Sequence, residues 1–306
     1  MRIVFMGTPR FAIPSLEALH REFGVGLVIT APEKPQGRGL RLRPSAVKEA
    51  ALRLGIPVWE PPSLRNQDFV QQFCTYAPDF LVVVAFRIVP PEVYGSVRRA
   101  AFCVHPSLLP KLRGAAPIHW AIIRGETVTG ITSFLLEASV DTGAILLQRK
   151  QSIPDGATYG ELHDLLMPLA AEVAVATLQG LLAGTLHPQP QDHSQATTAP
   201  KLRPEDCHLR WDRPAEEVRR WIHGLSPEPG AWALLQGRRL RFLRARTVAL
   251  EQQTRPGTFL ISGDHLFVAC ADGAVEITEL QQEGRRPLPA ATFLRGWRGP
   301  HTGILT

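Results

Sequence analysis

Cysteine chemistry is nearly absent from this chain. Its 306 residues hold four cysteines, Cys74, Cys103, Cys207 and Cys270, scattered without CxxC or Cys/His spacing. That argues against a zinc site or a disulfide framework and fits a reducing compartment. No window reads as the ~18 uncharged apolar residues that a membrane span needs, so no membrane crossing is expected. The opening MRIVFMGTP has no basic n-region, long apolar h-region and small-residue cleavage site, so no secretion signal is expected and the cytoplasm is the expected location. GxGxxG and internal repeats are also missing.

The composition that remains is that of an ordinary globular protein, 44% hydrophobic and 20% charged. A net charge of +6 favours a polyanionic partner, because Lys and Arg gain affinity by displacing counterions from phosphates. The length exceeds one usual core and predicts two domains.

Apolar runs at 2–6, 24–30, 79–85 and 101–104 read as strands, alternating with helix-period stretches at 11–21, 45–54, 66–75 and 116–124. Near-continuous Val/Ile/Leu strands are covered on both faces, which predicts a doubly wound, Rossmann-like α/β domain with a parallel sheet. A strand pair at 130–137 and 144–150, then a helix over 157–184, should complete residues 1–185. Residues 186–204, polar and Pro-rich, read as a linker. Over 205–306, one helix at 213–223 and short strands at 231–236, 239–248, 257–262, 265–269 and 273–280 predict a small β-barrel, OB-like in class.

Three segments are candidates for chemistry. Gly7-Thr8-Pro9 follows the first strand and opens onto a helix, where α/β folds expose free N–H groups to anions. Lys34 to Pro44, with Arg38, Arg41 and Arg43, reads as a mobile basic loop: two glycines and two prolines oppose regular structure while cations project. His105 ends a strand, Pro106 stops it, and Asp141-Thr142-Gly143 lies in a turn that can return a carboxylate to the same sheet edge. A carboxylate beside an imidazole orients the ring and stabilises its charged form, an acid/base arrangement. In the second half Arg238, Arg239, Arg241, Arg244 and Arg246 alternate imperfectly along a strand, giving a phosphate track or a solvated basic strand.

MGTPRFAIPSL at 6–16, KPQGRG at 34–39, HPSLLPKLRGAAPI at 105–118, GETVTGIT at 125–132, DTGAIL at 141–146 and SPEPGAW at 226–232 resemble the signature segments of the methionyl-tRNA formyltransferase family. The resemblance runs in order along nearly the whole chain. It implies 10-formyltetrahydrofolate as formyl donor, initiator methionyl-tRNA as acceptor, no metal, and a monomer.

The family's Asn-x-His pair with a distant Asp falls on Cys103, His105 and Asp141, so Cys103 stands where the family has Asn. Ser107, Leu108, Leu109 and Pro110 match its folate-contacting segment, and Phe86, Arg87 and Ile88 would flank the pterin. Arg87 replaces the family's usual Gly. The resemblance assigns Arg38, Arg41 and Arg43 to a tRNA-facing insertion, with Arg38 on the acceptor stem, and makes Arg238, Arg239 and Arg241 tRNA contacts.

Overall fold

A computed structural model describes residues 1–36, 41–250 and 254–306. The chain divides into two compact units: 1–114 with 128–152 and 163–199, and 115–127 with 153–162 and 200–306.

The first stretch runs β1 (Ile3–Gly7), α1 (Ile13–Phe23), β2 (Leu27–Ile29), β3 (Lys34–Gln36), β4 (Arg41–Arg43), α2 (Ala46–Arg53), β5 (Val58–Trp59), α3 (Gln67–Tyr76), β6 (Phe80–Val84), α4 (Pro91–Tyr94) and β7 (Ala100–His105). α5 (Pro117–Ile123), β8 (Val128–Leu135), β9 (Ile145–Ser152) and α6 (Tyr159–Ala183) follow. β1 and β6 are buried at every position, as their unbroken apolar runs require of strands covered on both faces. Ser45 and Asn66 start α2 and α3 by accepting the N–H of Lys48 and Phe69 through their side chains.

The sheet order is β5-β2-β1-β6-β7-β8-β9. Strands from β5 to β7 are parallel, but β7–β8 and β8–β9 are antiparallel. The expected parallel sheet is thus present over five strands, and the expected strand pair adds β8 and β9 as antiparallel strands at its edge. Two further expectations change. The basic stretch expected as an irregular loop has paired ends, β3 and β4 matching Lys34↔Arg43, Pro35↔Leu42 and Gln36↔Arg41. One helix, α6, is long and apolar enough to cross a membrane by length and composition, with mean hydropathy 1.7. Leu162, Leu166, Ala170, Ala174 and Leu178 are fully buried at four-residue spacing along it, a core-facing stripe.

The second unit carries α7 (Ala215–Gly224), β10 (Ala231–Leu235), β11 (Arg238–Val248), β12 (Thr258–Ser262), β13 (His265–Ala269), β14 (Ala274–Gln282), β15 (Leu288–Pro289), α8 (Ala290–Arg295) and β16 (Thr302–Ile304). Its antiparallel sheet runs β10-β11-β14-β13-β12-β16. Leu234 and Thr306 exchange backbone hydrogen bonds of 2.5 and 3.1 Å, which brings the two edges of this curled sheet together. Trp211, Phe242, Phe259, Val268, Ile277 and Phe293 fill its interior. Residues 186–199, read from the sequence as linker, group with the first unit, and α5 groups with the second.

Candidate active site

β7 delivers two of the three candidate catalytic residues. Side chains alternate across a strand, so Cys103 and His105 share one face while Phe102 and Val104 point to the other. His105 is 6% exposed, and the edge of the Phe134 ring meets it at a centroid distance of 6.5 Å. Its Nε2 lies 3.0 Å from the Leu112 carbonyl oxygen. A carbonyl only accepts, so Nε2 carries the proton, and in the neutral ring the lone pair sits on Nδ1. That nitrogen is 3.8 Å from Asp141 Oδ2.

Asp141 occupies the turn between β8 and β9 with φ of 56°, left-handed backbone that Asp tolerates better than most residues. Gly114 N–H donates to its Oδ2 at 2.7 Å. Gly143 closes the same turn, where a Cβ would fall 1.8 Å from the Leu135 carbonyl oxygen. Residues 112–114 thus touch both partners, His105 through the Leu112 carbonyl and Asp141 through the Gly114 amide.

Burial, and secondly the nearby Asp141 carboxylate, push the Cys103 thiol far above its ordinary range, while a backbone hydrogen bond at Val104 opposes them. A thiol held neutral is a poor nucleophile, so covalent catalysis through Cys103 is disfavoured. The group that remains is a weak hydrogen-bond donor on the face shared with His105.

The segment 107–110 is locked from behind by β8 and β9. Thr132 Oγ1 donates to the Ser107 carbonyl at 2.6 Å and accepts the Leu109 N–H at 3.1 Å, and Gln148 Nε2 donates to the Leu109 carbonyl at 2.8 Å. Ser107 and Leu109 are buried, whereas Leu108 and Pro110 are part-exposed. At the end of β6, Arg87 reaches away along the rim: its terminal nitrogens donate to the carbonyls of Pro61 and Pro62, both at 3.0 Å. Its guanidinium lies 5.1 Å from the ring centre of half-buried Phe86. Ile88 is 71% exposed, an apolar side chain left uncovered.

The arginines of β11 fall into two groups. Arg244 is paired with Glu161 and Glu279, and Arg246 donates to Glu276 at 2.6 Å. Arg238, Arg239 and Arg241 have no carboxylate partner among the described residues, and Arg239 lies 4.2 Å above the Trp232 ring. Register shifts between Phe242 and Ala245 separate the groups along the strand. In the β3–β4 hairpin Arg43 is exposed, Arg41 is placed as a strand residue, and Arg38 lies outside the described residues.

Sequence reading missed Leu112, Gly114, Thr132 and Gln148, whose hydrogen bonds hold this rim, and Gln191, whose Nε2 donates to the Asp141 and Gly143 carbonyls. Leu112 and Gly114 act through backbone atoms, which residue type does not announce. Thr132 and Gln148 lie opposite each other in the β8–β9 ladder, so their pairing was accessible from the hairpin register. Gln191 lies in the presumed linker, where polarity looked like solvation.

Comparisons with known proteins agree over both halves. The family model described as Formyl transferase matches residues 1–178, and that of the Formyl transferase, C-terminal domain matches residues 201–298. A methionyl-tRNA formyltransferase from Acidobacterium capsulatum is 44% identical, covering 97% of this chain and 96% of the relative. One from Heliobacterium modesticaldum is 45% identical, with 98% of each covered. The solved structure of HypX from Aquifex aeolicus in complex with tetrahydrofolic acid superposes with a TM-score of 0.65 at 21% identity. It covers 100% of this chain and 50% of HypX, so the chain spans about half of that larger protein, and the likeness shows the fold alone.

Proposed function

The chain belongs to the methionyl-tRNA formyltransferase family, and from that premise we propose that the His105–Asp141 rim moves a formyl group from 10-formyltetrahydrofolate to the α-amino group of methionyl initiator tRNA. The observation that carries the catalytic assignment is the buried pair itself. Leu112 fixes the proton on Nε2, leaving Nδ1 as a base that faces a carboxylate 3.8 Å away.

The folate, when bound, supplies an electrophilic formyl carbon and an amine leaving group. His105 takes the proton of the attacking amine at Nδ1, Asp141 stabilises the imidazolium so formed, and the ring releases the proton on the leaving side. Leu108 and Pro110 are the part-exposed members of the segment that would hold the folate, with Phe86 and Ile88 beside it. The exposed Ile88 suits this role, since a flat aromatic ring would cover it. Arg87 already satisfies two backbone carbonyls and in this reading shapes the rim rather than pairing with the ligand. Ser107 and Leu109, buried, hold the segment's shape.

Arg238, Arg239 and Arg241 would take tRNA phosphates, because they alone on β11 lack carboxylate partners among the described residues. Arg38, Arg41 and Arg43 remain the assignment for the acceptor end. The reading is of a monomer acting in the cytoplasm, where initiator tRNA is charged.

Cys103 sets the rate in this proposal. An Asn there donates a strong N–H bond to the oxygen that becomes negative, and losing one such donor costs about 100- to 1,000-fold. Formylation of methionyl initiator tRNA by the unaltered protein, Cys103→Asn and His105→Ala tests the assignment. Activity of the first two with none in the third supports it, and Cys103→Asn is expected to be the faster. Turnover by Cys103→Asn alone would mark the natural chain as a weakened enzyme. If tRNA binds and none of the three turns over, the proposal gives way to a folate- or tRNA-binding role.

A further inference from the structure

Residues 189–199 lie along the 112–114 segment and the strand that follows the Asp141 turn. Gln189 and Ile145 exchange both backbone hydrogen bonds at 2.8 Å, just after the Asp141 turn. Further on, Thr197 Oγ1 accepts the Leu112 N–H at 2.9 Å, the Thr197 carbonyl accepts the Arg113 N–H at 2.9 Å, and Ala199 N–H donates to the Arg113 carbonyl at 2.6 Å. Gly114 allows this approach: a Cβ there would fall 2.6 Å from the Ala199 carbonyl oxygen.

Between these anchor points Gln191 is 7% exposed and uses its whole amide. Its Nε2 donates to the carbonyls of Asp141 at 2.9 Å and Gly143 at 2.8 Å. Its Oε1 accepts from Arg113 Nε at 3.1 Å and Nη2 at 2.6 Å. Arg113 also reaches His193 Nδ1 at 3.1 Å. One amide therefore binds the Asp141 turn on one side and, on the other, the residue between Leu112 and Gly114.

We propose that Gln191 is a positioning residue for formyl transfer: it clamps the 141–143 turn to the 112–114 segment and so holds the Asp141 carboxylate against His105. The inference rests on the catalytic reading of that pair. A surface linker would leave such an amide to water. A buried amide whose donors both end on the backbone of a left-handed turn fixes where that turn's side chain points. Without it, Asp141 keeps the Gly114 contact, but nothing from Gln191 holds residues 141 and 143 to Arg113.

The test compares Gln191→Leu, Asp141→Asn and the double variant by two readouts. In steady-state formylation, Gln191→Leu is expected to lower kcat roughly ten- to hundred-fold, the scale of a small misplacement of a reacting group, with KM for either substrate nearly unchanged. In NMR of histidine-labelled protein, the His105 ring resonances are expected to move from their positions in the unaltered protein, because the carboxylate facing Nδ1 is displaced. Asp141→Asn should move them the same way, and the double variant no further than Asp141→Asn.

Unmoved His105 ring resonances in a folded Gln191→Leu protein, or kcat losses that multiply independently in the double variant, would overturn the proposal. Should Gln191→Leu not fold, Arg113→Lys decides. It keeps the charge, loses the two-pronged bond to Gln191, and is expected to shift the resonances the same way by less; no shift overturns the proposal. If the unaltered protein does not formylate, the catalytic reading fails while the spectra still decide whether Gln191 sets the environment of His105.

Discussion

His105 and His223 are buried to the same degree, 6% and 4% exposed, in opposite surroundings. His223, on α7, meets Ala245 at the register shift of β11, its Nε2 3.0 Å from that residue's carbonyl oxygen and 3.1 Å from its N–H. Burial first, and Arg219 next, push its pKa down to about 4. It stays neutral, and its Nε2 ties α7 to an irregular strand. His105 also meets backbone through Nε2, but its Nδ1 faces a carboxylate. A buried histidine is thus read by its charged neighbours rather than by its burial: arginines near the ring disfavour its charged form and leave a fastener, and a carboxylate beside Nδ1 suits a base.

The contrast is broken hardest by removing each ring in turn. His105→Ala should lower kcat by about two to four orders of magnitude, the usual worth of a positioned proton-transfer group. His223→Ala should leave turnover per folded molecule nearly unchanged and lower the unfolding free energy by about 1 to 3 kcal/mol, because Ala245 loses a buried partner. Parallel kinetics and urea unfolding check both, and a His223 variant that folds well yet loses turnover would dissolve the distinction.

pH dependence sharpens it next. Between about 6.5, the unfolded value, and about 4, the unfolded chain binds a proton at His223 that the folded chain refuses. Stability contributed by this site is therefore complete above that window and falls as pH drops through it, by up to about 3 kcal/mol. Unfolding measured from pH 7 to pH 4 should show this slope, and His223→Gln should remove it.

The smallest effect lies among the arginines, where the same distinction between committed and open groups returns. Arg241→Ala should weaken tRNA binding and lower the salt-dependence slope by about 1, as for one phosphate contact. Arg246→Ala, which leaves Glu276 with His265 as its partner, should leave that slope nearly unchanged. Equilibrium binding across a salt series distinguishes them.

Much of this was legible before any coordinates. The unbroken runs of β1 and β6 announce strands covered on both faces, and Pro106 after His105 marks the end of β7 at the sheet's carboxyl edge. DTG at 141–143 announces a turn. The reversal of direction between β7 and β8 was not legible, since both strands read alike and α5 lies between them in sequence. Nor was the pairing of β3 with β4, because the glycines between them in sequence and the flanking prolines argued against regular structure.

By itself the sequence determined the elements, because apolar period and turn residues are local properties, and it placed His105 at a sheet edge with Asp141 in a nearby turn. Tertiary structure alone decided which nitrogen of His105 is open, that the Cys103 thiol stays neutral, which β11 arginines lack carboxylates among the described residues, and that Gln191 bonds the Asp141 turn. Each depends on partners distant along the chain: Leu112 on His105, Asp141 on Cys103, Glu161 and Glu276 on the arginines, and the backbone of residues 141 and 143 on Gln191. A side chain's type fixes what it can donate or accept, and only the fold fixes what stands opposite it.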